Sequence, residues 1–192
     1  MRVGLFFGTF NPIHIGHLVI ANHFVEHSNL DQVWLVVTPQ NPFKKKQQML
    51  DNHQRLELVY RAVEDYPKLL PCDIEFALPQ PNYTVHSLAH LEEKYPKKEF
   101  ALIMGEDNLN SLHKWKNYQF ILEQYPIYVY PRLAETCNEN KFAGKANITT
   151  VNAPIMALSS SAIRADIKAG KLTRPQLPEK VWQYIDEMNF YR

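Results

Sequence analysis

Glycine and cysteine are scarce in this chain, and neither sign of charge dominates. Among 192 residues there are 6 glycines and two cysteines, Cys72 and Cys137. Two cysteines this far apart, in no metal-like spacing, argue against a disulfide framework and against a structural zinc site. The 21 basic and 20 acidic side chains give a net charge of +1, whereas general nucleic-acid binders usually carry a strong basic excess. We therefore expect no nucleic-acid partner.

Long apolar runs are also missing. No stretch approaches the roughly 20 apolar residues that a membrane-spanning helix needs, and the apolar run in MRVGLFFGTF is too short for a signal peptide. We expect a cytoplasmic protein with no membrane partner. Apolar residues still make up 45% of the chain, which is enough for one core. The sequence predicts a single domain over residues 1–192, with a small helical part from about 155 to 192, and leaves a homo-oligomer open.

Short β-rich apolar runs alternate with segments of helical spacing. The predicted strands are Arg2–Phe7, Val33–Thr38, Leu69–Glu75, Phe100–Met104, Ile127–Tyr130 and Ile148–Val151. The predicted helices are 15–28, 52–65, 84–94, 117–124, 159–169 and 178–188, and Asp51 and Thr84 are predicted to cap the second and third of them. This alternation predicts an α/β fold, a Rossmann-like doubly wound parallel sheet with helices on both faces. Two polar loops, 39–50 and 131–147, follow strands at the sheet edge where such folds bind ligands.

Residues 8–17, GTFNPIHIGH, concentrate two of the scarce glycines and two histidines in one strand-to-helix turn. Gly8 ends an apolar strand and allows the backbone to approach a ligand closely. Gly16 stands at the start of the next helix, whose N–H groups and partial positive charge favour an anion. His14 and His17 are three residues apart, so both can donate to phosphate oxygens from similar sides. The pattern indicates a phosphate-binding turn.

The segment His14-Ile15-Gly16-His17 resembles the HxGH motif of the nucleotidyltransferases related to class I aminoacyl-tRNA synthetases. Asn11 stands where many members of that superfamily carry aspartate, a tolerated exchange. The resemblance implies that His14 and His17 act as catalytic residues on the triphosphate of ATP. It also implies an ATP-binding surface formed by Gly8, Thr9, Phe10 and Gly16.

A second phosphate-binding element is predicted at residues 158–171, LSSSAIRADIKAGK. Serines at a helix start cap it and present hydroxyl and N–H groups to an anion. Arg164, one turn further on, can fork onto phosphate oxygens. The segment is similar to the superfamily's ISSTxIR element. That similarity implies ATP contacts from Ser159, Ser160 and Ser161 and a catalytic role for Arg164.

A third segment, LIMGEDNLNSLHKWKNY at residues 102–118, resembles one in nicotinate mononucleotide adenylyltransferases. There Gly105 and Asp107 would contact adenosine, with the carboxylate on ribose hydroxyls, and Trp115 would stack on the pyridine ring. The stretch PQPNYTVHSL resembles the family's PSYTxDTL, which places Tyr83 and Thr84 on the mononucleotide, although His86 replaces the usual aspartate. In NPFKKK, Lys45 would bind the mononucleotide phosphate.

Five elements in the right order make the chain similar to bacterial nicotinate mononucleotide adenylyltransferases from Val3 to its end. The resemblance implies attack of the nicotinate mononucleotide phosphate on the α-phosphate of ATP, giving nicotinate adenine dinucleotide and pyrophosphate for NAD biosynthesis. It implies Mg²⁺ held mainly by ATP phosphates, with no dedicated protein ligands. The preference for nicotinate over nicotinamide is not visible in the residue spacing.

Other interpretations of these motifs stay open. A pantetheine-phosphate or other small-molecule adenylyltransferase would share the HxGH turn, although the Trp115 segment and the Asn-Tyr-Thr element do not favour it. A non-catalytic nucleotide-binding regulator would also share the scaffold, but His14, His17 and Arg164 are all present. The segment His23–His27, HFVEH, fits the H-x-x-E-H pattern of zinc peptidases. No further ligand cluster follows it, so we do not expect a zinc hydrolase.

Overall fold

The computed structural model describes residues 1–40, 49–132, 142 and 147–192. Six parallel strands form one sheet in the order β3-β2-β1-β4-β5-β6. The strands are β1 (Arg2–Gly8), β2 (Gln32–Val37), β3 (Leu69–Cys72), β4 (Glu99–Gly105), β5 (Ile127–Tyr130) and β6 (Ile148–Thr150). The predicted α/β class with a parallel, Rossmann-like sheet is confirmed.

Within these ranges, seven α-helices connect and flank the strands. They are α1 (Ile15–His27), α2 (Asn52–Val63), α3 (Thr84–Lys94), α4 (Glu106–Ser111), α5 (Tyr118–Gln124), α6 (Ser160–Lys168) and α7 (Glu179–Glu187). Short 3-10 helices occur at Ile74–Ala77, Leu112–Lys114 and Arg174–Gln176. In the ranges that the structure describes, no helix is long and apolar enough to cross a membrane.

The strands are continuously apolar because the sheet is covered on both faces. Alternate residues of β2 enter different cores: Val33, Leu35 and Val37 pack with α1, α2 and α7, whereas Trp34 and Val36 pack with α3, α4 and α5. Successive side chains of a strand point to opposite faces, so an unbroken apolar run is needed to fill both cores. Helices therefore lie on both faces, as the sequence predicts.

Three local predictions need correction. The third strand ends at Cys72, not Glu75, because the chain turns into the 3-10 helix Ile74–Ala77. The N-cap of α3 is Tyr83, and Thr84 is the first helical residue instead of the cap. Helix α4, only six residues long, follows β4 directly and was not predicted, because it is too short to show an amphipathic period.

The order of the strands places the candidate site. β1 lies at the centre, between β2 and β4. After β1 the chain forms β2 and β3 on one side of it, and then β4, β5 and β6 on the other. Ligands of open α/β sheets bind at the carboxyl ends of the strands where this direction reverses. The GTFNPIHIGH turn follows β1 and the GED segment follows β4, so both predicted ATP-binding elements meet at this point.

The N-cap of helix α2 provides a test of how a local sequence signal contributes to the stability of the fold. Asp51 Oδ1 accepts the His53 N–H at 2.8 Å, and Gln54 Oε1 accepts the Asp51 N–H at 3.1 Å, which forms a capping box. We expect Asp51→Ala to lower the free energy of unfolding by about 1 kcal/mol in urea titrations. Asp51→Ser is the matched control, since serine also caps, and it should stay close to the parent. Equal stability of the alanine variant and the parent would contradict this role.

Candidate active site

The turn between β1 and α1 forms one wall of a cleft at the carboxyl end of the sheet. Gly8, Thr9, Phe10 and Asn11 all line this cleft. Phe10 has a left-handed backbone, φ 44°, and its ring is buried against Phe6 and His17. A Cβ on Gly8 would come within 2.8 Å of the Phe10 ring, so only glycine lets the ring fold back under the strand. Phe10 can therefore serve ATP through its main chain, while its side chain belongs to the core.

His14 and His17 lie together on the cleft wall. Their rings are stacked with centroids 3.7 Å apart. His17 Nδ1 accepts the His14 N–H at 3.2 Å, which places the hydrogen of the neutral His17 ring on Nε2. His14 is only 5% exposed, and within the described part of the chain its Nδ1 has no hydrogen-bond partner. Burial, with a smaller contribution from the positive charge of Arg132, lowers the pKa of His14 to about 4.

The serine-rich element packs directly onto the turn. Ser160 Oγ donates to the Pro12 carbonyl at 2.8 Å, and Arg164 Nη1 donates to the Asn11 carbonyl at 2.7 Å. Ser159 accepts the Ala162 N–H and so caps α6, as predicted for this element. Ser159, Ser160, Ser161 and Arg164 line the same cleft as the histidines. Segments nearly 150 residues apart in sequence thus form one site.

Arg55 is a site residue that the sequence analysis missed. Its side chain is 0% exposed and donates to the carbonyl oxygens of Thr9 at 2.6 Å, Thr38 at 2.9 Å and Leu50 at 3.1 Å. In the sequence it looks like one more charged residue on an amphipathic helix. Its burial depends on the way α2 packs under the turn, for which residue spacing contains no signal.

Asn11 and Tyr191 complete the support of the turn. Asn11 Oδ1 accepts from the Leu50 N–H at 3.3 Å and from the Tyr191 hydroxyl at 2.7 Å. An aspartate, which the resemblance would place at this position, could accept the same two bonds. Tyr191 is therefore linked to Asn11, and no local sequence pattern predicts this long-range contact.

The predicted adenosine-binding residues lie on the other side of the histidines. Gly105 ends β4 and is the N-cap of α4, and Asp107 lies in the first turn of that helix. Asp107 Oδ2 pairs with Arg132 Nη1 at 3.0 Å, and both side chains are about half exposed. A Cβ on Gly105 would lie 2.5 Å from Asp107 Oδ1 and 2.9 Å from Arg132 Cδ, so glycine leaves room for this pair. Arg132, which also lines the cleft, was not predicted.

The predicted mononucleotide residues line a second cavity beside the first. Tyr83, Thr84 and Trp115 form part of its wall, and Trp115 also packs against one of the two cores. Lys116, unpredicted, holds its Nζ 4.8 Å from the Tyr83 ring centroid. The two cavities share the wall residues Phe7, Ile103, Met104 and Asn108, so they lie side by side.

Two further predicted features fall outside this arrangement. His86 is exposed on α3 with its ring 5.6 Å from that of Tyr83, and it does not line the cavity. Lys45, Lys44, Lys46 and Cys137 lie outside the described residues.

His23 and His27 lie on α1 with ring centroids 4.4 Å apart. Among the residues that the structure describes, no group of three or more His, Cys, Asp or Glu could hold a metal ion.

Comparison with known proteins gives one consistent result. The cytidylyltransferase-like family matches residues 5–166. A probable nicotinate-nucleotide adenylyltransferase of Flavobacterium psychrophilum is 63% identical over all of both chains. Another of the same description from Bacteroides thetaiotaomicron is 41% identical over 97% of this chain and 92% of its own. Nicotinic acid mononucleotide adenylyltransferase of Plasmodium falciparum complexed with NaAD has a similar fold, with a TM-score of 0.82, 16% identity, and coverage of 99% and 97%.

The lowered pKa of His14 predicts an acid-side loss of stability. The side chain of His14 titrates near pH 6.5 in the unfolded chain and near pH 4 in the folded protein. Between these two pH values the unfolded chain binds more protons, so the free energy of unfolding decreases as the pH is lowered. The loss should approach about 3 kcal/mol below pH 4. We expect His14→Gln to lack this component when unfolding is measured across that range. Exposed His113→Gln is the control and should retain it; identical pH slopes for His14→Gln and the parent would rule the explanation out.

Proposed function

Because the chain belongs to the cytidylyltransferase-like family, we propose that it is an adenylyltransferase that joins ATP to nicotinate mononucleotide. The products are nicotinate adenine dinucleotide, a precursor of NAD, and pyrophosphate. Full-length relatives described as probable nicotinate-nucleotide adenylyltransferases support this choice. The observation that carries it is that two cavities adjoin each other. A cleft with two histidines and two arginines lies beside a cavity walled by Tyr83, Thr84 and Trp115.

The triphosphate of ATP binds the cleft. His17 donates from Nε2, Arg164 and Arg132 supply positive charge, and Ser159 and Ser161 offer hydroxyl groups. Asp107 gives up its ion pair with Arg132 and instead accepts hydrogen bonds from the ribose hydroxyls of ATP. Trp115 then stacks on the pyridine ring of the mononucleotide, with Tyr83 and Thr84 at the amino end of α3 facing its carboxylate.

The reaction needs alignment more than acid–base catalysis. The mononucleotide phosphate has a second pKa of about 6, so it is largely a dianion at neutral pH and needs no general base. One of its oxygens forms a bond to the α-phosphorus of ATP while the bond to pyrophosphate breaks. The cleft stabilises the charge on the transferring group and holds attacking and leaving oxygens in line. His14, neutral near pH 7, is suited to hydrogen bonding in this setting rather than to supplying a fixed charge.

Mg²⁺ fits this arrangement as an ion that arrives with ATP. Phosphate oxygens of ATP and water would provide its ligands, and the neutral hydroxyl groups of Thr9 and Ser161, which line the cleft, are compatible with such a hydrated ion. When bound, the ion would neutralise phosphate charge and improve pyrophosphate as a leaving group.

We also propose a cytoplasmic location, where ATP is available, and action on small molecules without a nucleic-acid partner. A single domain over residues 1–192 and any association into a homo-oligomer stay predictions. Lys45 stays a proposed ligand of the mononucleotide phosphate.

The direct test is pyrophosphate release from ATP with each candidate acceptor supplied separately. We expect release with nicotinate mononucleotide. Turnover of pantetheine phosphate instead would favour the related adenylyltransferase. Binding of the dinucleotide without any release of pyrophosphate would favour a non-catalytic regulator.

His17→Asn tests the phosphate-binding role of the turn. The asparagine Oδ1 can still accept the His14 N–H, but the Nε2 donor is lost. We expect kcat to fall about 100-fold or more, the loss typical of a donor to a charged transition state, with a melting temperature close to the parent. His90→Asn, at a partly exposed position on α3, is the control. Full turnover by His17→Asn would remove the turn from the mechanism.

Trp115→Ala tests the mononucleotide cavity. Loss of stacking and apolar contact should raise KM for nicotinate mononucleotide roughly tenfold and leave KM for ATP nearly unchanged. Trp115→Phe keeps a flat ring and should lie between the two. A rise in both KM values together, with a lowered melting temperature, would instead show that Trp115 acts only through the core that it packs against.

A further inference from the structure

Glu75 is a buried carboxyl group with no part in the mechanism described so far. It lies in the 3-10 helix Ile74–Ala77 and is 1% exposed. Ser87 Oγ donates to Glu75 Oε1 at 2.6 Å, and Asn82 Nδ2 donates to the Glu75 carbonyl oxygen at 3.0 Å. Glu75 is thus bonded to residues on both sides of Tyr83 and Thr84, the two residues that begin α3.

The other carboxyl oxygen faces a different environment. Glu75 Oε2 is buried and has no hydrogen-bond partner in the described part of the chain. Glu75 lines the cavity that also contains Tyr83, Thr84 and Trp115. A buried polar atom without a partner carries a free-energy penalty that a ligand can relieve. The carboxyl is therefore available to a polar group on a molecule in this cavity.

Apart from the hydroxyl groups of Ser87 and Thr38, no side chain that the structure describes around Glu75 would stabilise a negative charge there. Lys116 lines the same cavity, but it is exposed and placed over the Tyr83 ring. The remaining titratable neighbours are Cys72 and Asp73 just before Glu75, His53 on α2 beside Phe76, and Tyr83 with His86 on α3. None of these is a cation in contact with the carboxyl, and burial raises the pKa of the Cys72 thiol to about 11, which keeps it neutral.

We propose that Glu75 determines specificity in the mononucleotide cavity: in its protonated form it donates from Oε2 to the pyridine carboxylate, and in its ionised form it favours a pyridine carboxamide. This inference rests on the proposed function. A carboxylate in this position would repel the carboxylate of nicotinate mononucleotide but would accept the N–H of the nicotinamide analogue. The charge state of one buried side chain thus sets which of two nearly identical substrates is preferred.

The titration of Glu75 agrees with this arrangement. Burial raises its pKa above the usual value of a glutamate, and the hydrogen bond from Ser87, with a smaller contribution from the nearby Thr38 hydroxyl, offsets part of the rise. The acid form of Glu75 therefore persists to higher pH than the acid form of an exposed glutamate.

The test is the ratio of kcat/KM for nicotinate mononucleotide to kcat/KM for nicotinamide mononucleotide, measured from pH 5 upward. Both substrates carry the same phosphate and use the same histidines, so their shared titrations cancel in the ratio. In the parent we expect the ratio to fall by up to about tenfold per pH unit above the pKa of Glu75. Glu75→Gln resembles the protonated acid at every pH, because its Nε2 donates and its Oε1 can still accept from Ser87. We expect its ratio to stay high and flat.

Glu93→Gln, an exposed site on α3, is the matched control and should show the parent profile. The same pH dependence in the parent and in Glu75→Gln would overturn the proposal. So would equal changes of KM for both substrates in a correctly folded Glu75→Gln variant, because a purely structural role would act on both alike. Absence of pyrophosphate release with either mononucleotide in the parent would instead defeat the proposed function.

Discussion

The site depends on hydrogen bonds that the protein's own side chains donate to carbonyl oxygens of the turn after β1. Arg55 holds the carbonyl of Thr9, Arg164 that of Asn11, and Ser160 that of Pro12. With these acceptors paired to the protein's own side chains, the turn can offer a ligand mainly N–H groups and two imidazoles. This arrangement suits the proposed binding of an anion, because the negative ends of the peptide dipoles are already compensated.

The parallel sheet brings the other parts of the site to this turn. β1 and β4 are neighbours and end at the same edge, so Phe7 of β1 and Ile103 and Met104 of β4 form the floor common to both cavities. A phosphate in the cleft and a pyridine ring in the adjoining cavity would thus be held at a fixed separation. In a reaction without general acid or base, such alignment of two anions is the main contribution that the protein makes.

Predictions from the sequence succeeded where the signal is local. In the part of the chain that the structure describes, the apolar runs and helical periods located all six strands and six of the seven α-helices, and Asp51 caps α2 as expected. Ser159, Arg164 and the two histidines were chosen from short motifs, and the structure places them around one cleft. Arg55 and Arg132 were missed because residue spacing does not show whether an arginine is solvated, buried against carbonyl oxygens as Arg55 is, or paired with a carboxylate beside a cleft as Arg132 is.

The sequence by itself determined the parallel α/β architecture and the composition of the turn that is predicted to bind phosphate, because hydrophobic period, glycine placement and histidine spacing are properties of neighbouring residues. Only the tertiary structure decided which distant groups support that turn and in which direction burial shifts the pKa values of residues at the site. Burial lowers the pKa of His14 and raises that of Glu75, while Tyr191 reaches Asn11 across almost the whole chain. Desolvation and long-range contacts of this kind depend on how the layers pack, which no stretch of residues specifies alone.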